Sequence, residues 1–306
     1  MRERLLLQAP AKLNLALSVG GPAADGMHPI AGWMVTVNLH DDLELVRLPT
    51  GTPSRYAVIW HDDARRRSEI DWSMSKDLAA QAHQALERSV GRSLSVQGRV
   101  EKRIPVGGGL GGGSADAAAM LHGINRLFDL GLSTKDLATI AEPLGSDVPF
   151  LVHGGSGIVT GLGERIESVA CPEPFHAVLV LPELSCPTGP VYRRFDEMRS
   201  DARVDEARVR EIATTPILPD RPFNDLADIA CDLHPELATL RSSLAEAIGG
   251  PMHVSGSGST LFTLVEDEET AGLVAESIES RFEVPAIPVR ATDGVACGEV
   301  LRGEDG

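Results

Sequence analysis

Two spaced cysteines that could clamp zinc are missing from this sequence. Its four cysteines, Cys171, Cys186, Cys231 and Cys297, are scattered, with no C-x-x-C pair and no histidine set at zinc spacing. They read as reduced, structural thiols of a cytoplasmic protein. No apolar run is long enough to span a membrane. The start, Met1-Arg-Glu-Arg-Leu-Leu-Leu, lacks the apolar core and cleavage site of a signal peptide. Positive charge is also scarce: 28 Lys and Arg stand against 44 Asp and Glu, a formal net charge of −16. Such a chain repels a nucleic-acid backbone, so neither nucleic acid nor membrane is an expected partner. Any anionic substrate must be held by local cations, backbone N–H groups or a metal ion. Repeats and low-complexity blocks are absent, and 42% hydrophobic with 24% charged residues is an ordinary globular balance. The 306 residues are long for one core and comfortable for two domains.

Glycine, by contrast, is concentrated. Six of the seven residues from Gly107 to Gly113 are glycine, followed by Ser114. Without Cβ atoms, the backbone N–H groups of such a loop can converge on an anion. Apolar residues then recur at Ala117, Met120, Leu121, Ile124, Leu127 and Phe128, which is helical spacing. The helix adds its positive N-terminal end, so the segment reads as a phosphate cradle. A flexible linker would not be wedged between a strand, Leu94–Val100, and an amphipathic helix. Lys102 and Arg103 stand just upstream.

Several phosphate-loop signatures are missing. A Walker A loop needs Gly-Lys-Ser/Thr, but Gly113 is followed by Ser114. The protein-kinase H-R-D and D-F-G sets are absent. Gly107-x-Gly109-x-x-Gly112 formally fits a dinucleotide fingerprint, which keeps a nicotinamide-dependent oxidoreductase open as an alternative.

Around the loop, strands are expected at Leu5–Leu7 and Leu13–Val19 on either side of Ala9-Pro10, and at Met34–Leu39 and Asp42–Arg47. Lys76–Val90 reads as a helix, and Ser133-Thr-Lys-Asp136 as a capping box opening another. Beyond a soft boundary near Gly163, helices at Val204–Ala213, Asp225–Ile248 and Glu268–Phe282 alternate with strands at Ala177–Leu181, Leu261–Val265 and Ala286–Ala291. That pattern is α+β. A frayed tail is expected from Arg302 to Gly306.

Phosphoryl transfer needs positioning, charge neutralisation and a group that takes the hydroxyl proton. Asp147, between a helix and the apolar run Val148–Val152, is the candidate base, with a turn or cap aspartate as the plainer reading. Lys12 interrupts a strand of leucines and could stabilise the transferring group. Asn14 shares its strand face. His28 follows the turn Asp25-Gly26.

Taken in order, Ala9-Pro-Ala-Lys-Leu-Asn-Leu15, Asp25-Gly-Met-His28, Lys102–Ser114, Leu144-Gly-Ser-Asp-Val-Pro149, Gly161-Leu-Gly-Glu164, Phe223-Asn-Asp-Leu226 and Ser255-Gly-Ser-Gly-Ser259 resemble the GHMP kinase superfamily. The resemblance implies a two-domain α+β fold. Residues 1–163 would form an ATP-binding domain like domain 2 of ribosomal protein S5, with a left-handed crossover, and 164–306 a ferredoxin-like domain. It implies ATP, Mg2+ and a cytidine-diphosphate-linked polyol phosphorylated on its 2-hydroxyl, though a GHMP-type kinase of another small alcohol stays open. Asp147 would be the base and Lys12 its electrostatic partner. Asn14, Met27, His28 and Tyr192 would hold the substrate, with Tyr192 against the cytosine ring. Lys102, Pro105, Val106, Gly107, Gly108, Gly109, Leu110, Gly111, Gly112, Gly113 and Ser114 would hold ATP, with Ser114 a candidate Mg2+ contact. Position 27 is Met where such kinases usually carry Tyr, position 115 is Ala where a second Ser is common, and Ile70–Lys76 departs from the usual adenine-side segment. The expected state is a monomer or homodimer.

Overall fold

The structure is a computed structural model that describes residues 2–24, 26–171 and 175–303. Asp25 of the Asp25-Gly26 turn and the last three residues of the expected tail lie outside the described residues.

Two long strands, β1 (Arg2–Val19) and β2 (Ile30–Arg47), form an antiparallel pair. Each was expected as two shorter strands. Pro10 does not end β1, because it sits where the register slips: between the partners of Pro10 and Ala11 the residues Asn38 and Leu39 of β2 are passed over, so the ladder is already interrupted beside a residue that has no N–H to donate. In the first half of β1, Leu5 and Leu7 are buried while Leu6 and Gln8 are exposed. From Ala9 onward both faces are covered. Leu13 and Leu15 are fully buried, each contributing about 1.5–3 kcal/mol. That at least offsets the roughly 1.5–2 kcal/mol needed to order the intervening and neighbouring polar side chains, Lys12 included.

β3 (Arg55–Trp60), which the sequence pattern did not reveal, runs parallel to β4 (Val96–Lys102) through the crossover helix α1 (Leu78–Val90). Asp77 caps α1 by accepting from the Ala80 N–H. β4 adds antiparallel to β2. Next comes α2 (Gly112–Leu127), which packs on β1, β2 and α1 and is buried almost all round at Ala115–Leu121. α3 (Thr134–Ala141) opens with the expected capping box between Ser133 and Asp136. α4 (Val148–His153) leads to β5 (Ser156–Gly161), which pairs with β2 and with β6 (Arg165–Ser168).

A second, antiparallel sheet follows. It contains β7 (His176–Val180), and the chain then continues through α5 (Thr188–Arg199) and α6 (Glu206–Thr214). Helix α5 escaped sequence reading because Gly189 and Pro190 stand in its first turn; Val191 and Phe195, one turn apart, anchor it. The short β8 (Phe223–Asn224) returns to the first sheet, parallel to β1. The helix expected over Asp225–Ile248 is two, α7 (Ala227–Leu233) and α8 (Pro235–Ile248). Pro235 cannot donate within a continuous helix, but it fits a first turn. β9 (His253–Val254), β10 (Leu261–Val265), α9 (Glu268–Phe282) and β11 (Ala286–Arg290) complete the second sheet in the order β11-β7-β10-β9. Two last strands, β12 (Ala296–Cys297) and β13 (Leu301–Gly303), pair antiparallel with β1. Among the described residues no helix is long and apolar enough to cross a membrane.

Candidate active site

The glycine loop ends at Gly111, whose left-handed backbone starts α2. The Ala115 N–H bonds back to the Gly111 carbonyl, so the N–H groups of Gly112, Gly113 and Ser114 have no partner inside the helix. Three orphan donors at the positive end of a 16-residue helix form an anion site. The next strand after α2, β5, pairs with β2 and β6 and not with β4, so the loop does not open the βαβ unit a dinucleotide fingerprint requires; the parallel partner of β4, β3, precedes it.

The loop is pinned from both sides. The Lys12 N–H donates to the Leu110 carbonyl at 3.0 Å. On the far side, the Ser255 hydroxyl donates to the Gly109 carbonyl at 3.1 Å, and the Thr260 N–H donates to Gly108 O at 3.1 Å. A Cβ on Gly109, at φ +76°, would fall 2.1 Å from the Ser255 carbonyl oxygen. Only glycine permits that approach.

A cavity of about 400 Å³ opens along this loop. It is lined by Lys12, Asn14 and Asp147, by Lys102 and residues 104–114, by Tyr192 and Thr188 of α5, and by Trp72 and Lys76 ahead of α1. Lys12 is buried and donates to Asn14 Oδ1. Its Nζ lies 3.5 Å from Asp147 Oδ2. Asp147 stands at the N-cap of α4, yet its side chain makes no capping bond. The carboxylate is therefore not spent on the helix and can serve as a proton acceptor. This argues against the plainer reading of a cap aspartate.

Lys102 sits differently from a free phosphate-binding cation. Its Nζ donates to Asp41 Oδ2 and, at 2.6 Å, to Asp116 Oδ2. Burial disfavours the ammonium charge, but the carboxylates of Asp116 and Asp41 outweigh it and raise the Lys102 pKa. Burial, only partly offset by Lys102, holds the Asp116 carboxyl well above the usual range. The second oxygen of Asp41 accepts from the Arg103 and Ile104 N–H groups, so this pair fixes the entry to the glycine loop. Asp41 was missed from the sequence. It fell in the gap between the two strands expected there, and its role shows only once β2 is seen to be continuous.

His28 and Tyr192, both named for the substrate, lie together with ring centroids 4.7 Å apart. His28 Nε2 lies 2.6 Å from Asp196 Oδ1, one helical turn after Tyr192. Burial, then the charge of Asp147, pushes the Tyr192 phenol up to about 12, so it stays neutral. Met27 is 49% exposed, and neither it nor His28 lines the cavity; His28 meets it through Tyr192. The segment 70–76, which departed from the usual pattern, brings Trp72 to the cavity wall, where its indole donates to Asp77 at 3.1 Å.

Two domain models match the chain: GHMP kinases N terminal domain over residues 77–155 and GHMP kinases C terminal over 223–284. A glycine-loop helix terminus, a buried lysine and a carboxylate around one cavity, on that fold, define an ATP-dependent small-molecule kinase of the GHMP class. The chain is 36% identical over 270 residues to the 4-diphosphocytidyl-2-C-methyl-D-erythritol kinase of Bacillus cereus (strain B4264), covering 87% of this chain and 89% of the relative. It also matches a crystal structure of 4-(cytidine 5'-diphospho)-2C-methyl-D-erythritol kinase with TM-score 0.71 and 30% identity, over 95% of this chain and 100% of that one. The chain belongs to the 4-diphosphocytidyl-2-C-methyl-D-erythritol kinase family. Homoserine kinase from Cytophaga hutchinsonii shares the fold at TM-score 0.65 and 17% identity, over 96% of this chain and 97% of that one.

Proposed function

We propose that this enzyme transfers the γ-phosphoryl group of ATP to the 2-hydroxyl of 4-diphosphocytidyl-2-C-methyl-D-erythritol, a step of the non-mevalonate route to isoprenoid precursors. The observation that carries the mechanism is the Lys12–Asp147 pair, 3.5 Å apart, on the wall of the cavity that holds the open N-terminus of α2. The hydroxyl oxygen attacks the γ-phosphorus while its proton passes to the Asp147 carboxylate. The bond from γ-phosphorus to the bridging oxygen breaks, and ADP leaves with the electron pair. Lys12 stabilises the charge that builds on the transferring oxygens. Asn14 orients Lys12 and the substrate. Residues 105–114 hold the phosphates, and Lys102 holds that loop in place through Asp41 and Asp116. Tyr192 on the cavity wall, backed by His28, receives the cytosine, with Met27 beside His28 in sequence as a further contact in this reading.

Among the described residues no group of three His, Cys, Asp or Glu could cage a metal. Mg2+ would arrive on the triphosphate, since this ion keeps its waters and takes few protein ligands. The Ser114 hydroxyl would contact it, and the ion would neutralise the β- and γ-phosphate charge. Residues 1–163 form the ATP-binding domain and 164–306 the second domain in this reading, with β6, β8, β12 and β13 completing the first sheet. We assign the protein to the cytoplasm, as a monomer or homodimer.

The test is ADP release measured with the cytidine-diphosphate-linked polyol, mevalonate, homoserine and a sugar as acceptors, with and without Mg2+. Turnover on the first alone is expected. Faster turnover on any other acceptor overturns the substrate assignment.

A further inference from the structure

The Phe223-Asn-Asp-Leu226 motif carries no role in the chemistry above, yet its side chains are fully engaged. The Asn224 amide donates to two carbonyl oxygens, Val254 O at 2.9 Å and Gly256 O at 2.7 Å. Its Oδ1 accepts from the Leu226 N–H at 2.9 Å. Meanwhile its backbone pairs with Leu17 of β1, the strand that carries Lys12 and Asn14. One residue thus ties that strand to the turn after β9.

That turn faces the reacting groups. Gly256 has φ +56°, and a Cβ built on it would lie 3.2 Å from Lys12 Nζ and 3.5 Å from Asn14 Oδ1. The backbone of Gly256 is therefore the wall against which the lysine head rests. Its neighbour Ser255 receives the Asn14 N–H at 3.5 Å and donates to Gly109 of the phosphate loop. No backbone N–H holds the Gly256 carbonyl among the hydrogen bonds described; the Asn224 amide does.

We propose that Asn224 is a positioning residue for phosphoryl transfer, holding Gly256 so that Lys12 stays aimed at the transferring group. The inference rests on the kinase reading above. Asp225, its neighbour, ties the same motif to β1 by accepting from the Ser18 hydroxyl and the Val19 N–H, away from the turn. The two residues separate positioning from anchoring.

Asn224→Asp preserves shape and the acceptor for Leu226, but turns both donors into an oxygen facing two carbonyls. We expect kcat on the cytidine-diphosphate-linked polyol to fall 10- to 100-fold, with KM for ATP within twofold and an unchanged circular dichroism spectrum. Asn224→Gln, which keeps the amide, serves where the aspartate variant does not fold, with a fall in kcat of at least fivefold expected and the same KM. Asp225→Asn should lower the thermal midpoint while leaving kcat within twofold. A kcat within twofold of wild type in the folded Asn224 variant overturns the proposal, as does an equal kcat loss in Asp225→Asn. An inactive wild-type enzyme would instead overturn the kinase reading and this inference together.

Discussion

Lys12 Nζ and Asp147 Oδ2 stand 3.5 Å apart, one on a strand near the start of the chain and the other ahead of α4. The lysine is buried and the aspartate side chain 27% exposed, and both line the cavity, so carboxylate and cation meet the same space. If Asp147 takes the proton, Asp147→Asn lowers kcat by about 10²- to 10⁴-fold, the usual worth of a general base. Calorimetric titration should give an unchanged Kd for ATP. Turnover at the wild-type rate would exclude Asp147 from proton transfer.

Gly109→Ala places a Cβ 2.1 Å from the Ser255 carbonyl at a residue with φ +76°. Gly131→Ala has a similar φ of +69° but open space around it. Urea unfolding should show a cost of roughly 1 kcal/mol for Gly131→Ala. A further cost of about 1–3 kcal/mol is expected for Gly109→Ala from overpacking. Equal losses in the two variants would mean that the contact between the two loops contributes nothing.

Lys102→Met leaves Asp41 and Asp116 buried without their shared cation. Breaking a buried pair in this way costs about 3–5 kcal/mol. The double variant Lys102→Met/Asp116→Leu should recover part of that loss, because it removes the carboxyl already disfavoured by burial. Denaturant midpoints of the two variants check this, and a double variant weaker than the single one contradicts it.

Burial lowers the pKa of His83, His122 and His253, each of which also bonds a backbone carbonyl. In the unfolded chain these rings take up protons near pH 6.5, whereas the folded chain resists protonation until lower pH. Stability is therefore full above about pH 6.5 and declines as pH falls below it. His122→Gln should flatten part of that decline in thermal midpoints between about pH 7 and 5.

Much of the site was legible because its residues are of the wrong type for their surroundings. Six glycines before a helix signalled a phosphate site, and a lysine among strand leucines and an aspartate beside an apolar run signalled chemistry only when taken together with it. The strands were legible as apolar segments but not as continuous ones, since a bulge at Pro10 depends on pairing with β2 and leaves no mark in β1 alone. Helix α5, with Gly189 and Pro190 in its first turn, was hidden by local propensity that tertiary packing of Val191 and Phe195 overrides. Asp41 and Asp196 stayed invisible as partners because their contacts come from segments distant in sequence, and period and spacing report only near neighbours.

Strand β1 carries Lys12 and Asn14, yet its pairing is completed by β8 and by β12, where Leu7 meets Cys297. Both pairings join segments far apart in the sequence. Contacts of such long sequence separation form slowly, because closing the intervening loop costs entropy before any pairing rewards it. In refolding, the turn-by-turn bonds of α2 therefore form before the pairings that complete the strand of Lys12.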